Sequence, residues 1–200
     1  MKRSIALAIS YLFHPALMPT VGALILLYVS PYYFPPEVRL YAATFIFAST
    51  YLFPALSVIL MQRLGMISDL HMKEGKERRL PFIATAIFFY FCAQTLKNFP
   101  LPPIFSTFVL GCALVIVISF LFLKWWKVSI HAAGMSGIIA LVVYLAVRYD
   151  LRLIWPIAGL FFAAGVLGTV RLYLRSHTLF EVLLGYLIGG CTVWLVINYF

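Results

Sequence analysis

Three side chains that can do chemistry together lie close in the last third of the chain: Arg171, His177 and Glu181. On a helix, His177 and Glu181 would be four residues apart and share one face. A carboxylate in that position can hold one imidazole nitrogen and leave the lone pair of the other free to attack. Arg171, six residues before His177, offers a planar fork for phosphate oxygens. The spacing therefore supplies the parts of a phosphoryl-transfer site.

The same cluster has a second interpretation. Arginines near the end of a membrane helix can extend toward lipid head groups, and a histidine there can cap the helix. The local pattern leaves both interpretations open, so the rest of the chain has to be considered.

The composition favours a membrane protein. The 200 residues are 64% hydrophobic, 17% aromatic and only 10% charged, and the mean hydropathy is +1.02. These values lie far from those of an average soluble domain. The net charge of +9 then favours anionic membrane lipids, and not nucleic acid, as partners.

Seven apolar runs predict an all-α fold, a polytopic transmembrane helical bundle of six to seven spans, because each span needs roughly 20 mainly apolar residues. The first run ends near Ser30 and is too long for a signal sequence, so we expect a retained span. His14, Pro15 and Pro19 interrupt it, and we expect His14 to be a kink or packing residue. The third run, 80–96, is short enough to be re-entrant. Residues 1–200 are predicted to form a single integral membrane domain. The other runs cover about 40–61, a stretch ending near 123, 128–147, 153–170 and 178–200.

If all seven segments span, the loops after the second, fourth and sixth lie on one membrane face. These loops hold residues 73–79, 124–131 and 171–177. In the middle loop Lys127 and His131 are four residues apart, and Ser129 could cap a helix whose amides face an anion. The alternative is a helix-start serine, an interfacial lysine and a packed imidazole. The first loop is basic and ends at Pro81; its cations could equally contact lipid head groups.

The acidic residues contain no paired-aspartate pattern. A magnesium-dependent diphosphate enzyme would therefore lack its ligands. We predict that the protein uses no metal and no other cofactor.

Taken together, the three loops resemble the motifs of the type 2 phosphatidic acid phosphatase superfamily, a family of membrane lipid phosphatases. The third family motif is Ser-Arg, a gap of five, His, a gap of three, and Asp. Here it reads Arg171, five residues, His177, three residues and Glu181, with Val170 in place of the serine. The resemblance extends over about 73–190.

The other two motifs depart further from the family pattern. Pro-Ser-Gly-His is represented by Ser129-Ile130-His131, so an isoleucine replaces the glycine. The first motif, Lys, a gap of six and Arg-Pro, is degraded: Leu80 separates Arg79 from the proline, and Lys73 is one place off.

The resemblance implies an integral membrane lipid phosphatase that hydrolyses, or transfers phosphate from, a phosphomonoester or diphosphate through a phosphohistidine. His177 would attack phosphorus, Glu181 would orient it, and His131 would protonate the leaving oxygen. The substrate would be a phospholipid or polyprenyl phosphate. The residues implied to bind its phosphate are Arg171, Arg79, Ser129 and either Lys73 or Lys76. We expect Lys127, four residues before His131, to bind it as well.

Two rival functions remain open at this stage. Ile130 restricts the backbone where a glycine would let it approach phosphate, which is compatible with a weak or inactive lipid-binding protein or translocase. An ion-coupled transporter would instead use Glu181 as an intramembrane carboxylate. The excess of cations on one face would place the site in the cytoplasm, whereas the resemblance implies the periplasmic side of a bacterial inner membrane. The sequence does not indicate the oligomeric state.

Overall fold

A computed structural model describes residues 2–68 and 79–200 of the chain. The part that it describes is all-helical, and the protein is a polytopic helical bundle as predicted. Seven helical segments are long and apolar enough to cross a membrane, including Arg79–Leu96, the segment whose length was in question. The helices are α1 (Arg3–Leu12), α2 (Met18–Val29), α3 (Pro36–Phe47), α4 (Phe53–Arg63), α5 (Arg79–Leu96), α6 (Ile104–Phe122), α7 (Ile130–Arg148), α8 (Ile154–Tyr173) and α9 (Leu179–Tyr199).

The first two spans are each interrupted near the middle. Between α1 and α2 a short 3-10 turn, Pro15–Leu17, begins at His14, whose Nδ1 accepts a hydrogen bond from the Ala16 backbone N–H at 3.3 Å. Between α3 and α4 a π-helical turn, Ala48–Leu52, precedes Pro54. A proline removes one backbone donor and clashes with the carbonyl of the preceding turn, so a wider turn there is expected.

The centre of the bundle is formed by α6, α7 and α9. Large side chains such as Phe105, Phe108 and Leu141 are fully buried there. Helices α7 and α9 approach most closely at two glycines: a Cβ on Gly185 would lie 2.5 Å from the Ser129 carbonyl oxygen, and one on Gly189 would overlap the Ala133 carbonyl. Glycine is needed at such contacts because any side chain would separate the helices.

The outer surface of the bundle is apolar. Trp155 is 83% exposed and Phe162 is 76% exposed. Such surface suits contact with lipid chains, since each spanning helix satisfies its own backbone hydrogen bonds. The chain is therefore an integral membrane protein.

One end of the bundle brings together segments that are distant in sequence. The Lys127 side chain donates to the Ser176 carbonyl oxygen at 3.2 Å, which joins the α6–α7 loop to the α8–α9 loop. The Ser129 N–H donates to the Glu181 carbonyl oxygen at 3.1 Å. The predicted sharing of one face by these two loops is thus observed.

Candidate functional site

His177 is positioned by the turn that ends α8. The Ser176 N–H donates to the Arg171 carbonyl at 3.1 Å, and the Arg175 N–H donates to the Leu172 carbonyl at 2.9 Å. Arg175 has a left-handed φ of 51°. This arrangement is the Schellman motif, which closes a helix and reverses the chain. It brings His177 back against the α6–α7 loop, where its side chain is only 6% exposed.

The hydrogen bond of the His177 ring fixes its tautomer. Nδ1 lies 2.9 Å from the backbone carbonyl oxygen of Lys127. A carbonyl oxygen can only accept, so Nδ1 carries the proton and, in the neutral ring, Nε2 carries the lone pair. The ring is thus presented as a nucleophile or a base at Nε2.

The sequence predicted that the Glu181 carboxylate would hold the His177 ring directly, whereas in the structure it acts through the Lys127 backbone. Its Oε2 is 3.6 Å from His177 Nδ1, longer than a hydrogen bond. The carboxylate accepts from the Thr178 N–H at 2.8 Å, as part of a capping box that starts α9, and from the Lys127 N–H at 3.0 Å. Glu181 therefore holds the Lys127 backbone, whose carbonyl in turn holds His177. Each oxygen of the carboxylate thus accepts from a backbone amide, Oε1 from Lys127 and Oε2 from Thr178.

Arg171 and His131 meet at Ser10 of α1. Nη1 of Arg171 donates to the Ser10 hydroxyl oxygen at 3.2 Å, while its Nε is buried without a hydrogen-bond partner among the described residues. Nε2 of His131 lies 3.2 Å from the Ser10 carbonyl oxygen and must donate to it. If His131 acts as an acid, the transferable proton is therefore the one on Nδ1 of the doubly protonated ring.

A cavity of about 890 Å³ connects these groups. Its polar end is lined by His177, Arg171, His131, Lys127, Ser10 and Arg3, and none of the described lining residues is acidic. Its other walls are mainly apolar and include Met18 and Phe82. The cavity thus combines a cationic end with an apolar interior.

Two predicted phosphate-binding residues, Ser129 and Arg79, are not brought to this cavity. Ser129 is fully buried, makes no side-chain capping bond to α7 and lies outside the lining, because its segment is packed against α9. Arg79 is exposed at the start of α5, whereas Pro81 of the same helix does line the cavity. Lys73 and Lys76 lie outside the described residues.

Sequence reasoning missed the contribution of the first span. His14 packs edge-on against His131, with ring centroids 6.0 Å apart, so its predicted packing role is observed; it also lines the cavity. Ser10 and Arg3 line it as well. A polar serine four residues before a histidine–proline break, inside an apolar run, was the available signal.

Burial and the nearby charge of Arg171 lower the pKa of His177 to about 4, although the hydrogen bond to Lys127 acts in the opposite direction. At neutral pH the ring is therefore uncharged. An uncharged ring with Nδ1 protonated is the form in which Nε2 can attack an electrophile.

Within residues 2–68 and 79–200, no three His, Cys, Asp or Glu side chains are grouped to hold a metal ion. The metal-free mechanism stays a prediction. Comparison with known proteins gave no match to a family model, to a curated protein or to a solved structure. The resemblance to the type 2 phosphatidic acid phosphatases therefore also stays a prediction, resting on the motifs.

Proposed function

We propose that this protein is a membrane lipid phosphatase whose phosphoryl intermediate forms on Nε2 of His177. The observation that carries the proposal is the orientation of that ring. The Lys127 carbonyl holds Nδ1–H at 2.9 Å, and the ring belongs to the lining of the cationic end of the cavity. A fixed tautomer at a site that attracts anions is what nucleophilic attack on a phosphate requires.

The charges around the cavity support an anionic substrate. Arg171 and Arg3 lie on its lining, and the carboxylate of Glu181 is engaged with two backbone amides. Positive donors around the equatorial oxygens stabilise the transition state of phosphoryl transfer. The guanidinium of Arg171, which lines the cavity, supplies such donors.

The apolar walls support a lipid, and not a soluble phosphate ester, as the substrate. Along α6 and its C-cap the lining runs from Leu123 to Phe108, a distance of about 22 Å at the rise of a helix. Half of the hydrocarbon core of a bilayer is about 15 Å thick. A phosphate at the cationic end would thus leave a hydrocarbon chain beside a mainly apolar wall at least one leaflet deep.

The reaction we propose has two steps. The Nε2 lone pair of His177 forms a bond to phosphorus while the ester P–O bond breaks, and the leaving oxygen takes the Nδ1 proton of His131. A water molecule then attacks phosphorus and returns a proton to His131. The N–P bond breaks, so inorganic phosphate leaves and the imidazole is restored.

A second candidate function is binding or translocation of lipid phosphates without turnover. It is favoured by the positions of Ser129 and Arg79, which do not add their donors to the cavity. Ile130 does line the cavity, at the position where the family pattern has glycine. Saturable binding of lipid phosphate with no phosphate release would support this candidate.

The test is phosphate release by the purified protein in detergent micelles containing phosphatidate, phosphatidylglycerophosphate or polyprenyl diphosphate. We expect release from at least one of them, undiminished by a chelator. His177→Asn is the matched variant, because an asparagine amide can still donate to the Lys127 carbonyl but cannot form the intermediate. We expect it to reduce release by about 10³-fold or more. Activity that disappears with chelator would contradict the metal-free mechanism.

A further inference from the structure

Ser10 of α1 contacts two helices of the site at once. Its hydroxyl oxygen accepts from Nη1 of Arg171, near the end of α8, and its carbonyl oxygen accepts from Nε2 of His131, near the start of α7. Both distances are 3.2 Å. The residue is only 7% exposed and lines the cavity. One residue of the first span is therefore hydrogen-bonded to a candidate phosphate ligand and to a candidate acid.

The contact with Arg171 restricts a side chain that otherwise has many rotamers. Arginine loses its planar match to phosphate when the guanidinium can rotate, and a hydrogen bond to one Nη fixes the plane of the group. With Nη1 engaged, Nη2 remains as a donor, whereas Nε is buried and has no partner among the described residues. The fixed group therefore keeps Nη2 available for an anion.

The hydroxyl group of Ser10 can fix the guanidinium of Arg171 without competing with an anionic substrate. A serine oxygen that accepts from arginine can still donate its own proton, so it does not compete with an incoming phosphate as a carboxylate would. A carboxylate at this position would neutralise the guanidinium and repel the substrate. A neutral acceptor positions the charge without cancelling it.

We propose that Ser10 is a positioning residue of the site: it orients the guanidinium of Arg171 toward the substrate phosphate, and its backbone holds the ring of His131. This inference rests on the proposed function. It makes α1, which would otherwise serve as a membrane anchor, a part of the substrate-binding site.

The variants separate the two contacts that Ser10 makes. Ser10→Ala removes the hydroxyl acceptor but keeps the carbonyl that holds His131. Ser10→Thr keeps both. Ser4→Ala is the control, because Ser4 lies on the same helix, is exposed and is not part of the cavity lining.

We expect Ser10→Ala to raise the KM for lipid phosphate about tenfold, the effect of losing one hydrogen bond to a charged group, with kcat changed less than threefold. Ser10→Thr should restore the wild-type KM, and Ser4→Ala should keep it. A purely structural role would instead lower the yield or the thermal stability and leave the KM of the folded protein unchanged. If Ser10→Ala does not fold in detergent, Ser10→Cys, a weak acceptor of similar size, must show the increase in KM.

Binding of dodecylphosphonate, which has no P–O ester bond to break, tests the inference without turnover. Titration calorimetry should show about tenfold weaker binding to Ser10→Ala than to the wild type, with recovery in Ser10→Thr. Equal affinities for Ser10→Ala and the wild type would overturn the inference. Weaker binding by Ser10→Ala and recovery in Ser10→Thr, with no phosphate release by the wild type, would refute the enzymatic function but keep Ser10 as a positioning residue. If the wild type neither binds dodecylphosphonate nor releases phosphate, both the enzymatic function and the role of Ser10 would be overturned.

Discussion

The imidazole of His177 is hydrogen-bonded to the backbone carbonyl of Lys127, with Nδ1 2.9 Å from the oxygen, across 50 positions of sequence. The Lys127 N–H donates to the carboxylate of Glu181, which also caps α9. Three segments of the chain are therefore joined in one network, from the helix cap through a single peptide segment to the ring. Its consequence is that, in the neutral ring, Nε2 carries the lone pair.

This network predicts a modest catalytic role for the charge of Glu181. Glu181→Gln loses one of the two acceptor oxygens but can still accept from the Lys127 N–H. It should lower phosphate release by about tenfold or less, because the direct acceptor of Nδ1–H is a backbone carbonyl that the substitution leaves in place. Initial rates measured beside those of His177→Asn check this expectation. A loss as large as that of His177→Asn would show that the carboxylate, and not the carbonyl, activates the ring.

Arg171 should not be replaceable by lysine. Arg171→Lys keeps the charge but loses the planar fork and the geometry of the bond to Ser10, so we expect KM to rise about 10- to 100-fold. Arg175→Lys is the matched control, since Arg175 is exposed in the turn after α8. Steady-state kinetics with the same lipid would measure both. Equal KM values for the two variants would contradict the assignment of Arg171.

The lowered pKa of His177 predicts a pH-dependent stability. The folded ring has a pKa of about 4, below the unfolded value of about 6.5. Between these values the unfolded chain binds more protons, so the free energy of unfolding falls as pH decreases from about 6.5 to 4, by about 3 kcal/mol at most.

Thermal unfolding in detergent at pH 7 and pH 4.5 measures this change. His177→Asn, which cannot titrate at this position, should lose less stability than the wild type over the same interval, because the two proteins share every other titratable group. Parallel losses would show that burial does not lower the pKa of His177.

The close approach of α7 and α9 predicts a large effect of one methyl group. Gly189→Ala places a Cβ against the Ala133 carbonyl and the Ser136 hydroxyl, so the helices must separate. We expect a cost of about 1–3 kcal/mol in the free energy of unfolding. Gly165→Ala is the control, because a Cβ at Gly165 would meet nothing within 4 Å. Unfolding in a denaturing detergent compares the two, and equal stabilities would contradict the packing.

The fold was largely predictable, because membrane spans follow from the lengths of apolar runs and loop sides follow from parity. The proximity of His177 and Glu181 was also predictable from their spacing, although His177 lies before α9 and not on it. The partner of Nδ1 was not, since the contact with Lys127 depends on how two loops meet. Ser10 and His14 were missed for the same reason: their place at the cavity depends on how the first span packs against α7 and α8.

Ser129 illustrates the opposite error. Its position before α7 predicted a capping hydroxyl near an anion, and the residue does stand at the start of that helix. Its hydroxyl is nevertheless buried and unpartnered among the described residues, because Gly185 of α9 packs directly onto its carbonyl. A sequence motif locates a residue along a helix, but tertiary packing decides what its side chain reaches.

The most direct test of the central claim is labelling of the protein with a lipid carrying 32P in its phosphate group, followed by rapid acid or alkaline quench. We predict a label on His177 that is lost in acid and survives alkali, as a phosphoramidate does, and that is absent from His177→Asn. A label that survives acid, or one that persists in His177→Asn, would contradict the proposal that Nε2 of His177 is the nucleophile.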